Sequence, residues 1–170
     1  MGSTISLTEH IYYTEENMEI RLANNGDIDQ LIKMRWDFTL EDYPEMGDGV
    51  EYSSFEKECR GFLETAMDSR QWFIWIGEIN GEIVSHIYIE LINKVPRPGR
   101  VTNPFAYMTN VFTVPEYRGK GTGSKLLSLV NEWAEEKKFE FIIVWPSDAS
   151  VEFYGRNGYT LCKEPMEKHF

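Results

Sequence analysis

Phe112-Thr113-Val114-Pro115-Glu116-Tyr117-Arg118-Gly119-Lys120-Gly121-Thr122-Gly123-Ser124-Lys125-Leu126-Leu127 is the stretch that decides the architecture of this chain. Its β-branched and aromatic start predicts the end of a strand, and Pro115 stops that strand. Gly119, Gly121 and Gly123 then make a turn, after which Leu126, Leu127, Val130, Trp133 and Ala134 recur as the apolar stripe of a helix reaching about residue 138. A strand, glycine turn and helix in this order bind anions. Successive backbone N–H groups converge in the turn, the first helical turn adds unpaired donors, and the helix dipole favours negative charge there. Arg118, Lys120 and Lys125 add local positive charge. Two familiar phosphate loops are excluded by counting. The pattern GxxxxGK[ST] requires a second glycine where Gly119 is followed by Ser124 and Gly121 by Leu126. The dinucleotide pattern GxGxxG requires a glycine at position 124.

Residues 106–114 form the strand that enters the turn. Residues 72–79 and 83–95 are rich in β-branched and aromatic side chains and flank Asn80-Gly81, a strong hairpin turn. Alternation along 83–95 predicts Val84, His86, Tyr88 and Glu90 on one face, where His86 and Glu90 are candidates to line a substrate cavity. Further upstream, residues 18–22 alternate as a strand, residues 28–40 repeat at helical spacing after the Asn25-Gly26-Asp27 turn, and a second helix begins at Ser53 or Ser54. Between the helices, residues 41–51 contain Pro44, Gly47, Gly49 and five carboxylates, and read as an irregular acidic loop. Downstream, residues 140–145 form a buried strand ended by Pro146, and Ser147 or Asp148 starts a short helix that closes at Asn157-Gly158. Residues 159–162 and 166–169 read as a terminal hairpin. Residues 1–17 read as an N-terminal extension, and 18–170 as a single domain of mixed α/β (α+β) class.

The 170 residues are 42% hydrophobic and 26% charged, an ordinary profile for one globular domain. A net charge of −11 argues against nucleic acid as a partner and suits a cationic acceptor. Cys59 and Cys162 have no paired spacing, so neither a disulfide framework nor a cysteine metal site is expected, and the composition predicts a cytoplasmic protein. No run approaches the roughly 18 apolar residues of a membrane span.

The segment from Val111 to Gly123 resembles the signature of the GNAT superfamily of N-acetyltransferases. Arg118, Gly121 and Gly123 fill its [RQ]xxGx[GA] pattern, and Ser147 to Tyr159, with Phe153-Tyr154 and Asn157-Gly158-Tyr159, resembles a second family segment. The resemblance implies a mostly antiparallel, twisted mixed sheet flanked by helices on both faces. It implies acetyl-CoA as co-substrate, no metal, and transfer to a primary amine by direct attack in a ternary complex. The pantetheine arm is then expected along Phe112, Thr113 and Val114. The pyrophosphate is expected on Arg118, Gly119, Lys120, Gly121, Thr122, Gly123 and Ser124, where the bare sequence had already put an anion.

Tyr154 matches the family's general acid. A phenol, with a pKa near 10 against roughly 8.5 for a thiol, can protonate a departing thiolate. Ser147 stands where many relatives carry an Asn that binds pantetheine, and helix capping competes with that role. No base is evident in the central strands, so an idle acyl-CoA sensor is the alternative reading, with His86 and Glu90 the candidates for base or acceptor contact. The acceptor loop 41–51 would hold a cationic amine. Relatives are commonly dimers, which leaves the oligomeric state open.

Overall fold

The computed structural model describes Tyr12–Tyr13 and residues 18–170. Most of the extension assigned to residues 1–17 therefore lies outside the described residues. Tyr12–Tyr13 is a short strand, β1, paired antiparallel with β2, Glu19–Leu22.

The sheet is built on the predicted hairpin. Strand β3, Trp72–Ile79, and strand β4, Glu82–Ile92, are joined by Asn80 and Gly81, both left-handed (φ 53° and 84°) as a two-residue hairpin turn requires. Strand β5, Phe105–Thr113, pairs antiparallel with β4, and β6, Ile142–Val144, pairs parallel with β5, giving the order β1-β2-β3-β4-β5-β6. Helices α1, Ile28–Asp42, and α2, Tyr52–Asp68, cover one face. There Leu31, Ile32 and Leu63 pack with Ile74, Ile76, Tyr88 and Phe112. Helices α3, Thr122–Glu136, and α4, Val151–Arg156, cover the other, where Leu126, Leu127, Val130 and Tyr154 pack with Trp75, Ile87, Ile89 and Met108. This is the α/β (α+β) architecture expected from the sequence, with helices on both faces. No helix among the described residues is long and apolar enough to cross a membrane.

Three local expectations are corrected. Residues 159–170 contain no strand. Pro165 removes a ladder donor in the middle of the stretch, and Leu161, Met166 and Phe170 lie on the surface with no core to cover. The acidic segment is not irregular throughout, because α1 runs to Asp42 and Pro44–Gly47 forms a 3-10 turn. Finally, Val84 does not share a face with His86 and Tyr88. The β3–β4 register steps from Gly77↔Ser85 to Glu78↔Ile83, so Val84 is the extra residue of a bulge and turns into the core beneath α3.

One polar cluster pins the start of α1 to the sheet. Asp27, almost fully buried, accepts two hydrogen bonds from Arg21 (2.7 and 2.8 Å) and one from the Asn24 backbone N–H (2.8 Å), while Arg21 also reaches Glu78 (2.5 Å). Burial alone would push the Asp27 carboxyl up, but these donors more than offset it and hold it below the usual range. Asp27→Asn is expected to lower the unfolding free energy at pH 7 by roughly 1.5–3 kcal/mol, the scale of hydrogen bonds to charged groups. A depressed folded-state pKa stabilises only above the unfolded value of about 3.9 and loses that effect as pH falls further, so the gap should close below about pH 4 in urea titrations.

Candidate active site

Strand β5 changes character halfway along. Its register against β4 runs His86↔Phe112 and then Tyr88↔Thr109, so Asn110 and Val111 together oppose the single residue Ile87. Asn110 takes the left-handed conformation (φ 46°) that asparagine tolerates better than most residues. The bulge inverts the side-chain alternation. Ala106 and Met108 point to the α3 face, and so does Val111, whereas Phe112 points to the α1–α2 face. β6 meanwhile accompanies β5 only from Ala106↔Ile142 to Met108↔Val144. Beyond that point the two strands part around a cavity of about 1200 Å³ lined by residues 107–113 on one side and by residues 144–147, Phe153 and Tyr154 on the other.

The parting leaves main-chain groups of β5 facing the cavity. Val114 donates its N–H to the Val84 carbonyl (2.9 Å), and Phe112 offers its carbonyl to Ser85 Oγ (3.1 Å), so both are turned toward β4. Strand alternation then directs the main chain of Val111 and Thr113 toward the cavity. Of Phe112, Thr113 and Val114, only Thr113 therefore turns its main chain to the cavity; Val114 spends its N–H on Val84, and Val111, which the sequence did not mark, faces the cavity beside Thr113. The Thr113 carbonyl is already used by Arg118 Nε (2.7 Å).

At the end of β5 lies the glycine turn. Gly119 (φ 71°) and Gly121 (φ 83°) are left-handed, and a Cβ on either would meet nothing, so their requirement is backbone conformation. At Gly123 the requirement is space, because a Cβ would sit 3.1 Å from Thr113 Oγ1 and 3.6 Å from the Phe153 ring. The first main-chain bond of α3 runs from Lys125 N–H to the Gly121 carbonyl (2.9 Å). Thr122, Gly123 and Ser124 therefore present N–H groups that no preceding helical carbonyl can accept. Asn157 Nδ2 donates to the Phe153 carbonyl (2.8 Å) and Ser124 Oγ (3.3 Å), tying α4 to this turn.

Arg118 does less at the turn than its charge suggested. Its guanidinium makes a two-pronged pair with Glu41 (2.5 and 2.8 Å), so it anchors the end of α1 over the turn. Lys120 Nζ lies over the Tyr117 ring, 5.5 Å from its centre.

Tyr154 sits on α4, almost fully buried and lining the cavity, and burial pushes its phenol up to about 12. The phenol is thus held protonated at neutral pH. Ser147 also lines the cavity, but its Oγ donates to Ser150 Oγ (3.2 Å) and caps no backbone N–H.

His86 and Glu90 do not line the cavity. His86 is fully enclosed in the sheet, edge-on to Tyr88 and tilted against Phe112, and Asn110 is its polar neighbour although neither ring nitrogen meets a partner in hydrogen-bond geometry. Burial, reinforced by the nearby Arg35 charge, pulls its pKa down to about 3, so it is neutral and out of reach of an acceptor. The face they share is closed above His86 by Phe38 of α1, stacked on Phe112 at 5.0 Å. Tyr88 is the β4 residue that reaches the cavity. The sequence reading missed Asn110 and Arg35 of α1, whose Nη1 donates to Asn110 Oδ1 at 3.3 Å across the bulge. An asparagine among strand formers was the available signal for the first. The carboxylates lining the cavity, Asp42 and Glu58, are joined by Arg35, Arg118 and Arg156, so the net acidity of the chain is not carried into the site.

Residues 28–159 match the model of the acetyltransferase (GNAT) family. A relative from Archaeoglobus fulgidus named an uncharacterized N-acetyltransferase is 23% identical over 134 residues, covering 75% of this chain and 81% of its own. Among solved structures, a predicted acetyltransferase from Clostridium acetobutylicum with acetyl-CoA superposes with a TM-score of 0.73 at 24% identity, covering 89% of this chain and 96% of that one. A GCN5-related N-acetyltransferase from Ralstonia eutropha JMP134 gives 0.70 at 19% identity, covering 89% and 98%.

If the turn depends on backbone conformation at Gly121, alanine there should cost roughly 1–2 kcal/mol, the penalty of a left-handed L-residue. Gly155→Ala, within α4 and facing open space, should be neutral or stabilising by up to about 1 kcal/mol. Denaturant unfolding of the two variants side by side checks the contrast.

Proposed function

The chain belongs to the acetyltransferase (GNAT) family and is an acyltransferase, and from that premise we propose that it moves the acetyl group of acetyl-CoA to a primary amine by direct attack within a ternary complex. The observation that carries this reading is the opening between β5 and β6, bounded at one end by the unpaired N–H groups of the glycine turn and at the other by Tyr154. The pyrophosphate would lie on the N–H groups of residues 119–124, which supply hydrogen bonds and the positive end of α3. The pantetheine amides would pair with the cavity-facing main chain of Val111 and Thr113, replacing the β6 neighbour that β5 lacks there. A main-chain N–H at the bulge would then stand near the thioester oxygen and stabilise the charge that develops during attack.

Amine attack needs two proton movements. On the donor side, Tyr154 is protonated throughout the neutral range and would give its proton, or a hydrogen bond, to the leaving CoA sulfur. On the acceptor side, a lysine-like amine must lose a proton at a cost of about 4.6 kcal/mol at pH 7. Asp42 and Glu58 are the lining carboxylates available to take it, directly or through water, and Arg35 at the bulge disfavours a second positive charge beside it.

Acetyl-CoA should raise the melting temperature, and CoA thiol should be released when a reactive primary amine is added. A melting temperature unmoved by acetyl-CoA but raised by ATP or NAD would overturn the reading, and binding without release on any amine would make the protein a sensor. Tyr154→Phe should lower kcat by roughly 10²-fold while acetyl-CoA affinity stays within about 2-fold. An unchanged kcat would remove Tyr154 from the chemistry.

A further inference from the structure

The half of the cavity beyond the bulge has a composition of its own. Phe62 of α2 and Trp72 of β3 meet edge to face at 5.1 Å, and Tyr107 of β5 and Trp145 after β6 do the same at 4.7 Å. All four line the cavity, and Phe62 and Trp145 are 42% and 54% exposed, so their rings are open to an occupant. Walls made of aromatic rings suit an aromatic body, since ring pairs add attraction beyond the area they bury.

The charges in the cavity are equally particular. Arg118 is paired with Glu41 and Arg156 with Glu152, which leaves Arg35 as the lining cation that has no carboxylate within 4.0 Å among the described residues. Its guanidinium rests over the Phe38 ring at 5.4 Å, and its one hydrogen bond among the described residues is the 3.3 Å contact with Asn110. A guanidinium has five N–H donors, arranged to grip a carboxylate with two of them. Half-buried and nearly unused, Arg35 sits at the bulge, where the reaction centre of the proposed transfer would lie.

We propose that Arg35 binds the carboxylate of the acceptor and that the acceptor is an aromatic α-amino acid, its ring held between the Phe62–Trp72 and Tyr107–Trp145 pairs. This rests on the acetyl-transfer reading and narrows it. A carboxylate on Arg35 brings the attached α-amino group to the bulge, beside the acetyl carbon. The ammonium first gives up one proton, through Asp42 or Glu58, to the solvent; the neutral nitrogen then bonds to that carbon, the carbon–sulfur bond breaks, Tyr154 protonates the sulfur so that CoA leaves as the thiol, and the second proton shed by the nitrogen restores Tyr154. Asp42 and Glu58 would face the ammonium group before transfer. A polyamine or aminoglycoside, by contrast, would bring several positive charges to a cavity with two lining carboxylates and a free arginine.

Initial rates of CoA release from acetyl-CoA test this with L-tryptophan and L-phenylalanine, their decarboxylated counterparts tryptamine and phenethylamine, L-alanine, and spermidine. Succinyl-CoA with tryptamine serves as a separate arm, because the carboxylate on Arg35 could also come from the acyl group. The aromatic amino acids should exceed both their decarboxylated amines and L-alanine in kcat/KM by roughly 10- to 100-fold, the range of a charge-assisted contact. Arg35→Gln should bring the ratio of amino acid to decarboxylated amine close to one, and Arg35→Lys should give an intermediate ratio. A merely structural role would lower both substrates together and leave the ratio alone, so an unchanged ratio would contradict the assignment even if the variants were weakened. Tryptamine matching tryptophan, spermidine as the best acceptor, or succinyl-CoA outpacing acetyl-CoA would each overturn it. Acetyl-CoA binding with no release on any amine would sink the transfer reading itself, and this inference with it.

Discussion

The bulge at Asn110 is the constraint on which the rest of the molecule depends. One residue in the left-handed region makes β5 one residue longer than its β4 partner, and this has consequences on both faces and along the edge. It swaps the side-chain alternation, so that Met108 belongs to the core under α3 and Phe112 to the core under α1. It also bends β5 away from β6 after Met108↔Val144, exposing a strand edge inside the protein rather than at its rim. An exposed edge is ordinarily a liability, because its unpaired groups seek another strand. Here the edge is flanked by the glycine turn, β6 and α4, which leaves its main-chain groups facing the cavity rather than another strand.

The bulge is supported from both sides. Arg35 reaches Asn110 from α1, while His86 is packed beneath it as a neutral ring against Tyr88 and Phe112. Glu41, also on α1, grips Arg118 at the glycine turn. A single helix thus touches both the bulge and the turn, and Asp27 fixes the beginning of that helix to Arg21 and Glu78 of the sheet. The buried histidine looked like a candidate base in the sequence. Its place in the fold makes it part of the support instead, since a ring with no solvent and no hydrogen-bond partner can neither collect nor release protons for a substrate.

Much of this was legible in the sequence, for identifiable reasons. Local chemistry dictated the Asn80-Gly81 hairpin, the glycine turn and the helix stripe of Leu127, Val130 and Ala134, and the structure has them there. The short helix carrying Tyr154 was likewise marked by its flanking Pro146 and Gly158. What failed was counting in twos along residues 83–95: Val84 was put on the wrong face, because a bulge shifts the count by one and leaves only a weak local sign, whereas the run Phe112, Thr113 and Val114 came from the resemblance, which does not say which of their main-chain groups face outward. The terminal hairpin failed for a different reason, as alternation in residues 159–169 lacks a neighbouring strand to complete it. Arg118 gave up its expected role through a tertiary contact no spacing could reveal, finding Glu41 from α1, while Arg35 has no acid within 4.0 Å among the described residues.

If the open edge of β5 and the glycine turn together receive acetyl-CoA, as proposed, amide hydrogen exchange measured residue by residue with and without acetyl-CoA will register it at those groups. Exchange should slow at Val111 and Thr113 and across residues 119–124, while Val114, already bonded to Val84, should change little. Slowing confined to other regions, or Val111 and Thr113 exchanging as fast with acetyl-CoA as without it, would contradict the account.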